Sequence, residues 1–174
     1  MQAYQDMVYT TVVRLTGNDA QAEDLSQEVF LRAYEHFDEL RTSNTAGGWL
    51  KTVATHTTIN YLTRYRRRWR LFSELRATPD DGDDPDFDIA ESDTVLDRLQ
   101  DGERHALVER ALRALPDRQR IALVLYHFED MSYQQIAAQL QISLAKTKID
   151  IHRARIALAR VLVRAGWQSQ DLQS

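Results

Sequence analysis

An acidic stretch with few apolar residues divides this chain into two blocks. The run TPDDGDDPDFD, at residues 78–88, combines two prolines and one glycine with closely spaced carboxylates. Such a segment buries too little apolar surface to offset the entropy that ordering it would cost, and its like charges repel one another. We therefore expect a flexible acidic linker at residues 77–103 between an N-terminal domain at 1–76 and a C-terminal domain at 104–174.

Positive and negative charges are separated along the sequence. The chain of 174 residues has a formal net charge of −4 at pH 7, which by itself argues against binding to nucleic acid. Residues 80–103, however, hold eleven acidic side chains and one basic side chain, so the remainder has 21 basic against 15 acidic residues. The two flanking blocks are therefore mildly basic, which is compatible with a nucleic-acid partner.

Composition excludes several classes of protein. The chain has no cysteine, which rules out disulfides and thiolate metal sites. None of its apolar runs approaches the roughly 20 residues that a membrane span needs, and the N-terminus lacks the pattern of a signal peptide. The five histidines show no paired metal spacing, and there is no glycine-rich phosphate loop. We expect a cytoplasmic protein without catalytic activity, cofactor, metal or membrane insertion.

Hydrophobic periodicity predicts an all-α chain. Apolar residues recur at helical spacing in both blocks, and no segment alternates convincingly with a period of two. Gly17 follows the first periodic segment as a helix-ending signal, and Pro116 suits the first position of a later helix. The predicted helices cover about residues 2–15, 20–37 and 46–69 in the N-terminal block, and about 95–114, 116–128, a short segment after Ser132 and 144–165 in the C-terminal block.

The segment MSYQQIAAQLQISLAKTKIDIHRARIAL, residues 131–158, has the pattern of a helix-turn-helix. Ser132 and Gln135 form a capping-box sequence before a short helix with one apolar face. A turn follows at Gln141 and Ile142, and Ser143 is placed to cap a longer helix. A capped short helix, a tight turn and a second cap together favour a DNA-binding motif.

The two faces of the longer helix differ in character. Its outward face is polar and basic, and the side chains nearest the cap are placed to enter a DNA major groove. The alternative is a plain helical hairpin whose outer face is only solvated. The inward stripe consists of Thr147, Ile151, Ala154 and Leu158. The candidate DNA-binding residues of the motif are Ser132, Ser143, Ala145, Lys146, Lys148, Ile149, His152 and Arg153.

These residues resemble those of a known family. SYQQIAAQLQIS…HRAR, with the preceding LPDRQRIALVLYHFEDMSY, is similar to the fourth conserved region of bacterial RNA polymerase sigma factors of the extracytoplasmic-function (ECF) group. The resemblance implies that the longer helix recognises the minus-thirty-five promoter element. Gln141 stands where glycine is usual, and Asp150 where arginine or a similar residue is usual. We expect Asp150 either to read a base or to pair with Arg153 or Lys146.

The second predicted helix has an acidic face. In AQAEDLSQEVFLRAYEHF, residues 20–37, an apolar arc that ends at Phe37 lies opposite an arc with carboxylates and one leucine. Such charges are often only solvated, whereas a leucine among them is typical of a small docking surface, and the residues alone leave both interpretations open. AEDLSQEVFLRAY resembles the second conserved region of the same family, which implies docking on the β′ clamp helices of core RNA polymerase. The residues implicated are Asp24, Gln27, Glu28 and Leu31.

The third predicted helix contains WLKTVATHTTINYLTRYRRRWR and ends in an arginine-rich segment. Tyr61, Tyr65 and Trp69 follow one another at steps of four and continue its apolar side, so we expect core positions rather than stacking on bases. The polar arc suits DNA, with amide and imidazole groups for base edges and arginines for phosphates. Trp49 fits either a core position or a wedge at an opening base step.

The same helix resembles the family's segment that recognises and melts the minus-ten element. Aspartate is frequent where Asn60 stands, and asparagine is frequent where His56 stands. The preceding loop, RTSNTAGG, occupies the place where the family captures an unstacked base. The candidates for contact with the minus-ten element are Asn44, Trp49, His56, Asn60, Arg64, Arg67 and Arg70.

The resemblance covers about residues 4–163 and implies a sigma factor that binds core RNA polymerase and directs promoter-specific transcription initiation. It also implies promoter DNA and an anti-sigma factor as partners, and a linker that runs toward the polymerase active-site cleft. A disordered spacer explains the linker composition equally well. From the residues alone, a stand-alone helix-turn-helix transcriptional regulator and a helical protein-interaction module stay open as alternatives.

Overall fold

The computed structural model describes the backbone of residues 4–74 and 101–164 and the side chains of residues 4–64 and 105–164. Within these ranges the chain is helical and has no strand, which confirms the predicted all-α class. Residues 75–100, which include most of the predicted linker at 77–103, lie outside the described residues. The eight helices of the described ranges are α1 (Gln5–Thr16), α2 (Asp19–Glu35), α3 (Phe37–Leu40), α4 (Ala46–Glu74), α5 (Asp101–Ala114), α6 (Asp117–His127), α7 (Tyr133–Leu140) and α8 (Leu144–Arg164).

Two residues set the boundary between α1 and α2. Gly17 has a left-handed φ of 66°, and its N–H donates to the carbonyl of Val13 at 2.8 Å. Glycine adopts this conformation at little steric cost, so it ends α1. Asn18 then caps α2, because its side-chain oxygen accepts a hydrogen bond from the N–H of Gln21 at 3.0 Å. The helix end predicted here is confirmed.

The structure differs from the prediction at the end of α2 and at the start of α6. Helix α2 ends at Glu35, because the backbone of His36 leaves the helical region (φ −108°, ψ 20°) before the short α3 begins. Phe37 therefore does not continue the buried arc of α2, and the predicted burial of this residue was wrong: its exposed fraction is 44%. Pro116 precedes α6 as its N-cap rather than occupying the first helical position. Helix α5 is described from Asp101 onward, and its predicted start near residue 95 lies outside the described residues.

The N-terminal block packs α1, α2 and α4 around one apolar cluster. Val8 and Val12 of α1, Val29 of α2 and Ala54 of α4 are fully buried there. Burial of each valine contributes about 1.5 kcal/mol or more, so the cluster holds the faces of α2 and α4 in fixed orientation. Tyr61 packs against the cluster as predicted. The side chains of Tyr65 and Trp69 lie outside the described residues.

Helix α6 is the centre of the C-terminal block. Residues 121–125 are buried all round, because α6 packs against α8 and α7 and also against α1 of the N-terminal block. The apolar cluster around α6 includes Leu15 of α1 and Ile59 of α4. The two blocks therefore pack against one another, and their cores meet.

Candidate nucleic-acid interface

Side-chain caps define the helix-turn-helix. The Ser132 hydroxyl accepts from the N–H of Gln135 at 3.2 Å, and the Gln135 side-chain oxygen accepts from the N–H of Ser132 at 2.8 Å, which completes the predicted capping box. After the turn, the Ser143 hydroxyl accepts from the N–H of Lys146 at 3.1 Å and so caps α8. Both predicted caps are confirmed.

The turn itself is conformationally strained at one residue. Gln141 has φ 56° and ψ 43°, in the left-handed region, where a side chain other than glycine costs about 1–2 kcal/mol. Its N–H, like that of Ile142, donates to the C-terminal carbonyls of α7. The chain thus forms a turn that requires a left-handed residue, and it does so with glutamine, which adopts this conformation less readily than glycine.

We expect Gln141→Gly to stabilise the fold. Glycine removes the left-handed strain but gains entropy in the unfolded chain, so the net gain in the free energy of unfolding is about 0.5–1 kcal/mol. Urea unfolding followed by circular dichroism measures it. Gln134→Gly is the matched control, because this exposed residue lies inside α7 and its replacement should destabilise by a similar amount. A lower urea midpoint for Gln141→Gly would contradict the assigned turn.

The inner and outer faces of α8 separate as predicted. Thr147, Ile151 and Ala154 are buried and Leu158 is half-buried. On the other side the candidate residues reach solvent, although Lys146 is only half-exposed. The exposed candidates of the motif are Ser132, Ser143, Ala145, Lys148, Ile149, His152 and Arg153.

Asp150 pairs with Lys146. The carboxylate is 3% exposed and accepts a hydrogen bond from Lys146 Nζ at 2.7 Å. Of the two expectations for Asp150, pairing is therefore what the structure shows, because a buried carboxylate that is already bonded has no access to a base edge. The pair also neutralises one of the cations predicted for the DNA-facing surface.

Arg155 joins α8 to α6. Its guanidinium lies 5.0 Å from the centroid of the Tyr126 ring, and its Nε donates to Nε2 of His127 at 3.2 Å. Burial, with a smaller contribution from the Arg155 charge, lowers the pKa of His127 and favours the neutral imidazole that accepts this bond. These contacts connect the exposed side of α8 to the C-terminal end of α6.

The acidic face of α2 is exposed to solvent. All of its candidate residues are exposed, and Leu31 is 67% exposed. Tyr34 and Phe37 lie beside it at 74% and 44% exposure, with ring centroids 6.5 Å apart. The sequence prediction missed these two aromatics, although the spacing of three between Leu31 and Tyr34 is a signal for a shared face. The candidate docking residues are Asp24, Gln27, Glu28 and Leu31.

Arg32 connects the acidic face to α4. It donates to the Glu28 carboxylate at 2.6 Å and to the Thr57 hydroxyl at 3.0 Å. Glu28 is therefore paired within the chain, although it is exposed like Asp24 and Gln27 on the same face.

The polar face of α4 carries His56, Asn60 and Arg64, which are exposed and follow one another at steps of four. Arg67 and Arg70 lie further along α4, and their side chains are outside the described residues. Asn44 is exposed in the preceding loop. The face therefore combines imidazole, amide and guanidinium groups along one side of one helix, as the sequence predicts.

Trp49 occupies a core-edge position. It is half-buried, packs against the N-terminal apolar cluster and meets the His36 ring edge-on at 5.6 Å between centroids. Its packing fits the predicted core position, and its role as a wedge at a base step stays a prediction. This packing holds the first turn of α4 against the N-terminal cluster.

Over the described ranges, no helix has the length and apolar character needed to cross a membrane. In the same parts of the chain, no cluster of three or more histidine, aspartate or glutamate side chains is arranged to hold a metal ion.

Comparison with known proteins identifies relatives of both blocks. The family model Sigma-70 region 2 matches residues 1–68, and Sigma-70, region 4 matches residues 105–158. The chain is 31% identical to the ECF RNA polymerase sigma factor SigW of Bacillus subtilis, over 91% of the chain and 84% of that protein. It is 30% identical to the RNA polymerase sigma-H factor of Pseudomonas aeruginosa, over 91% of the chain and 82% of that protein.

A solved structure has a similar fold. It is the sigma factor RpoE from Bartonella quintana, in a co-crystal structure with the anti-sigma factor NepR. The TM-score is 0.50 at 20% sequence identity, and the match covers 92% of each chain.

Proposed function

Because the chain belongs to the ECF sigma factors of bacterial RNA polymerase, we propose that it binds core RNA polymerase and directs promoter-specific transcription initiation. The observation that carries the proposal is the exposure of three distinct faces, on α2, α4 and α8, in a chain that matches both sigma regions in order. The polymerase performs the catalysis, and the chain acts in the cytoplasm, where its partner is.

The N-terminal domain, residues 1–76, supplies two of these faces. Leu31 and its neighbouring carboxylates on α2 bind the β′ clamp helices. The carboxylates orient the two proteins as they approach, and the Leu31 side chain loses its contact with water when they bind. His56, Asn60 and Arg64 on α4, with Arg67 and Arg70 beyond them, bind the minus-ten element. Arg32 couples the two faces, since it bonds to both α2 and α4.

The C-terminal domain, residues 104–174, supplies the third face. Helix α8 enters the major groove of the minus-thirty-five element with its N-terminal half. Lys148 and Arg153 bind phosphates or guanine edges, and Ile149 contacts an apolar base edge. The acidic segment 77–103 joins the two domains. An anti-sigma factor is the partner that regulates them.

Transcription from genomic DNA tests this function. Fragmented genomic DNA from the source bacterium is transcribed by core RNA polymerase with and without the chain, and the 5′ ends of the transcripts are sequenced. We expect a set of start sites that depends on the chain and shares two upstream elements. Start sites that are the same in both reactions would contradict the proposal.

We expect Asp150→Asn to strengthen non-specific binding to duplex DNA. The change keeps the shape of the buried side chain but frees Lys146 to bind a phosphate. The slope of log K against log salt should steepen by about 0.9, the value for one added phosphate contact. Fluorescence anisotropy on a random-sequence duplex measures the slope, and Asp130→Asn, at an exposed acid outside α8, is the matched control. An unchanged slope would contradict the assigned pairing.

A further inference from the structure

Helix α8 exposes a patch of apolar side chains at its N-terminal end. Leu144 and Ile149 are 38% and 47% exposed, and Ala145 is also exposed. We call these three residues the apolar patch. The fourth exposed side chain of residues 144–149 is Lys148. Single apolar residues on a surface are common, but here they form most of the surface that α8 offers to a DNA groove.

The polar groups beside the apolar patch are engaged within the chain. The Lys146 ammonium donates to Asp150 at 2.7 Å, and the Asp150 carboxylate is 3% exposed. Residues 143–150 contain no other acidic residue and no asparagine or glutamine. This part of α8 therefore offers neither an accessible carboxylate, which would accept from cytosine, nor a side-chain amide, which would pair with adenine.

The direction of the Ile149 side chain is set by the helix. Isoleucine is β-branched, so one χ1 rotamer dominates in an α-helix, and little side-chain entropy is lost when its methyl groups make a contact. The neighbouring Asp150 and Ile151 are buried, which holds the helix on the core at this turn. Ala145 lies one turn earlier and about 40° away around the helix. Its small side chain lets the α8 backbone approach the floor of a groove.

Only one group on the base edges of the major groove is apolar, and it is the C5-methyl of thymine. Guanine, adenine and cytosine present donors and acceptors there. Such a polar edge would lose its water against the apolar patch without gaining a hydrogen bond, which is unfavourable. Burial of one methyl group against isoleucine corresponds to about fourfold in affinity. The chemistry of the patch therefore matches thymine better than any other base.

We propose that Ile149 is a specificity-determining residue, which reads the C5-methyl of a thymine in the minus-thirty-five element, and that Leu144 and Ala145 complete the apolar contact. This inference rests on the proposed function, since it assigns a base to the face that α8 presents to the promoter. The upstream element then contains an A·T pair opposite Ile149, with the thymine on either strand. Lys148 at the edge of the patch binds a phosphate or a guanine.

Uracil substitution tests the proposal, because uracil pairs with adenine as thymine does but lacks the C5-methyl. A promoter found by genomic transcription is synthesised with uracil in place of one thymine of the upstream element at a time, and the minus-ten element is left unchanged. Competition in an electrophoretic mobility shift measures its affinity for the complex of the chain with core polymerase. We expect one thymine whose replacement weakens binding about fourfold.

Ile149→Ala assigns that methyl contact to one side chain. On the uracil promoter the variant should bind as the parent does, and replacing the thymine by uracil should change its affinity less than about 1.5-fold. Ile156→Ala is the matched control, because Ile156 is 40% exposed and lies about two turns further along α8. We expect it to keep the full fourfold effect. Alanine is a better helix former than isoleucine, so both variants should stay folded.

The outcomes separate this proposal from the function on which it rests. If the unsubstituted chain directs promoter-specific transcription but no uracil weakens binding, the reading of thymine is refuted while the function stands. The same holds if Ile149→Ala leaves the uracil effect unchanged, or if the upstream element has no thymine on either strand. If the unsubstituted chain selects no promoter, the proposed function fails and this inference fails with it.

Discussion

Replacing Leu31 by glutamate is expected to weaken binding to core RNA polymerase about thirtyfold or more. Leu31 is 67% exposed within the acidic face of α2, so the substitution leaves the core intact. A hot-spot side chain at the centre of an interface contributes about 2 kcal/mol or more, which corresponds to this factor, and we expect Leu31 to be one. A charge there would also have to be desolvated on docking. Surface plasmon resonance with immobilised core polymerase measures the dissociation constant.

A second exposed apolar residue provides the control. Val163 is 51% exposed at the end of α8, far along the chain from the acidic face, and Val163→Glu adds the same charge to the chain. We expect its affinity for core polymerase to stay within about twofold of the parent. Equal affinities for Leu31→Glu and the parent would show that α2 does not dock in the proposed way, whatever the chain does at promoters.

Reversing two charges on α8 is expected to abolish recognition of the upstream element. Lys148 and Arg153 are exposed on the outer face, and neither has an acidic partner among the ion pairs of the described residues. Each contact to a phosphate or base edge contributes about 1–3 kcal/mol, so Lys148→Glu with Arg153→Glu should weaken specific binding by at least a hundredfold. Electrophoretic mobility shift with the polymerase complex, on a promoter found by genomic transcription, measures the loss.

The position of the charge on α8 distinguishes recognition from general electrostatics. Arg160 and Arg164 lie on the same helix but beyond its N-terminal half, so Arg160→Glu with Arg164→Glu makes an equal change in net charge. We expect this control to lose less than about tenfold. Similar losses in the two double variants would indicate that α8 contributes only through its overall charge and does not read the element with its N-terminal half.

Local signals in the sequence were sufficient to predict the helices and the faces that they expose to solvent. Ser132 with Gln135 predicts a capping box because both partners lie within one turn, and Gly17 predicts a helix end because the left-handed conformation is a property of that residue. The inward stripe of α8 follows from helical geometry alone. Such features depend on residues close together in the chain, so they do not require knowledge of the tertiary contacts.

Features that depend on contacts between residues distant in the chain could not be predicted from the sequence. In the sequence, nothing distinguishes Arg120 from the other cations of a basic block. The tertiary packing shows that its guanidinium is buried against the carbonyls of Leu15 and Thr16, more than 100 residues away. The burial of Asp150 and the exposure of Phe37 were missed for related reasons. The first depends on how α8 packs, and the second on a break in α2 at His36 that no proline or glycine signals.

The central claim is that each block contacts its own promoter element, and site-directed DNA cleavage tests it most directly. The chain has no cysteine, so a single introduced cysteine can be labelled with a DNA-cleaving iron chelate. One variant has Ala145→Cys on α8, and the other has Thr52→Cys near the start of α4. Both positions are exposed. When each labelled chain is in complex with core polymerase on one promoter, we expect the Ala145→Cys variant to cut near minus thirty-five. We expect the Thr52→Cys variant to cut near minus ten. Cuts at the same element from both positions, or no cuts that depend on the polymerase, would contradict it.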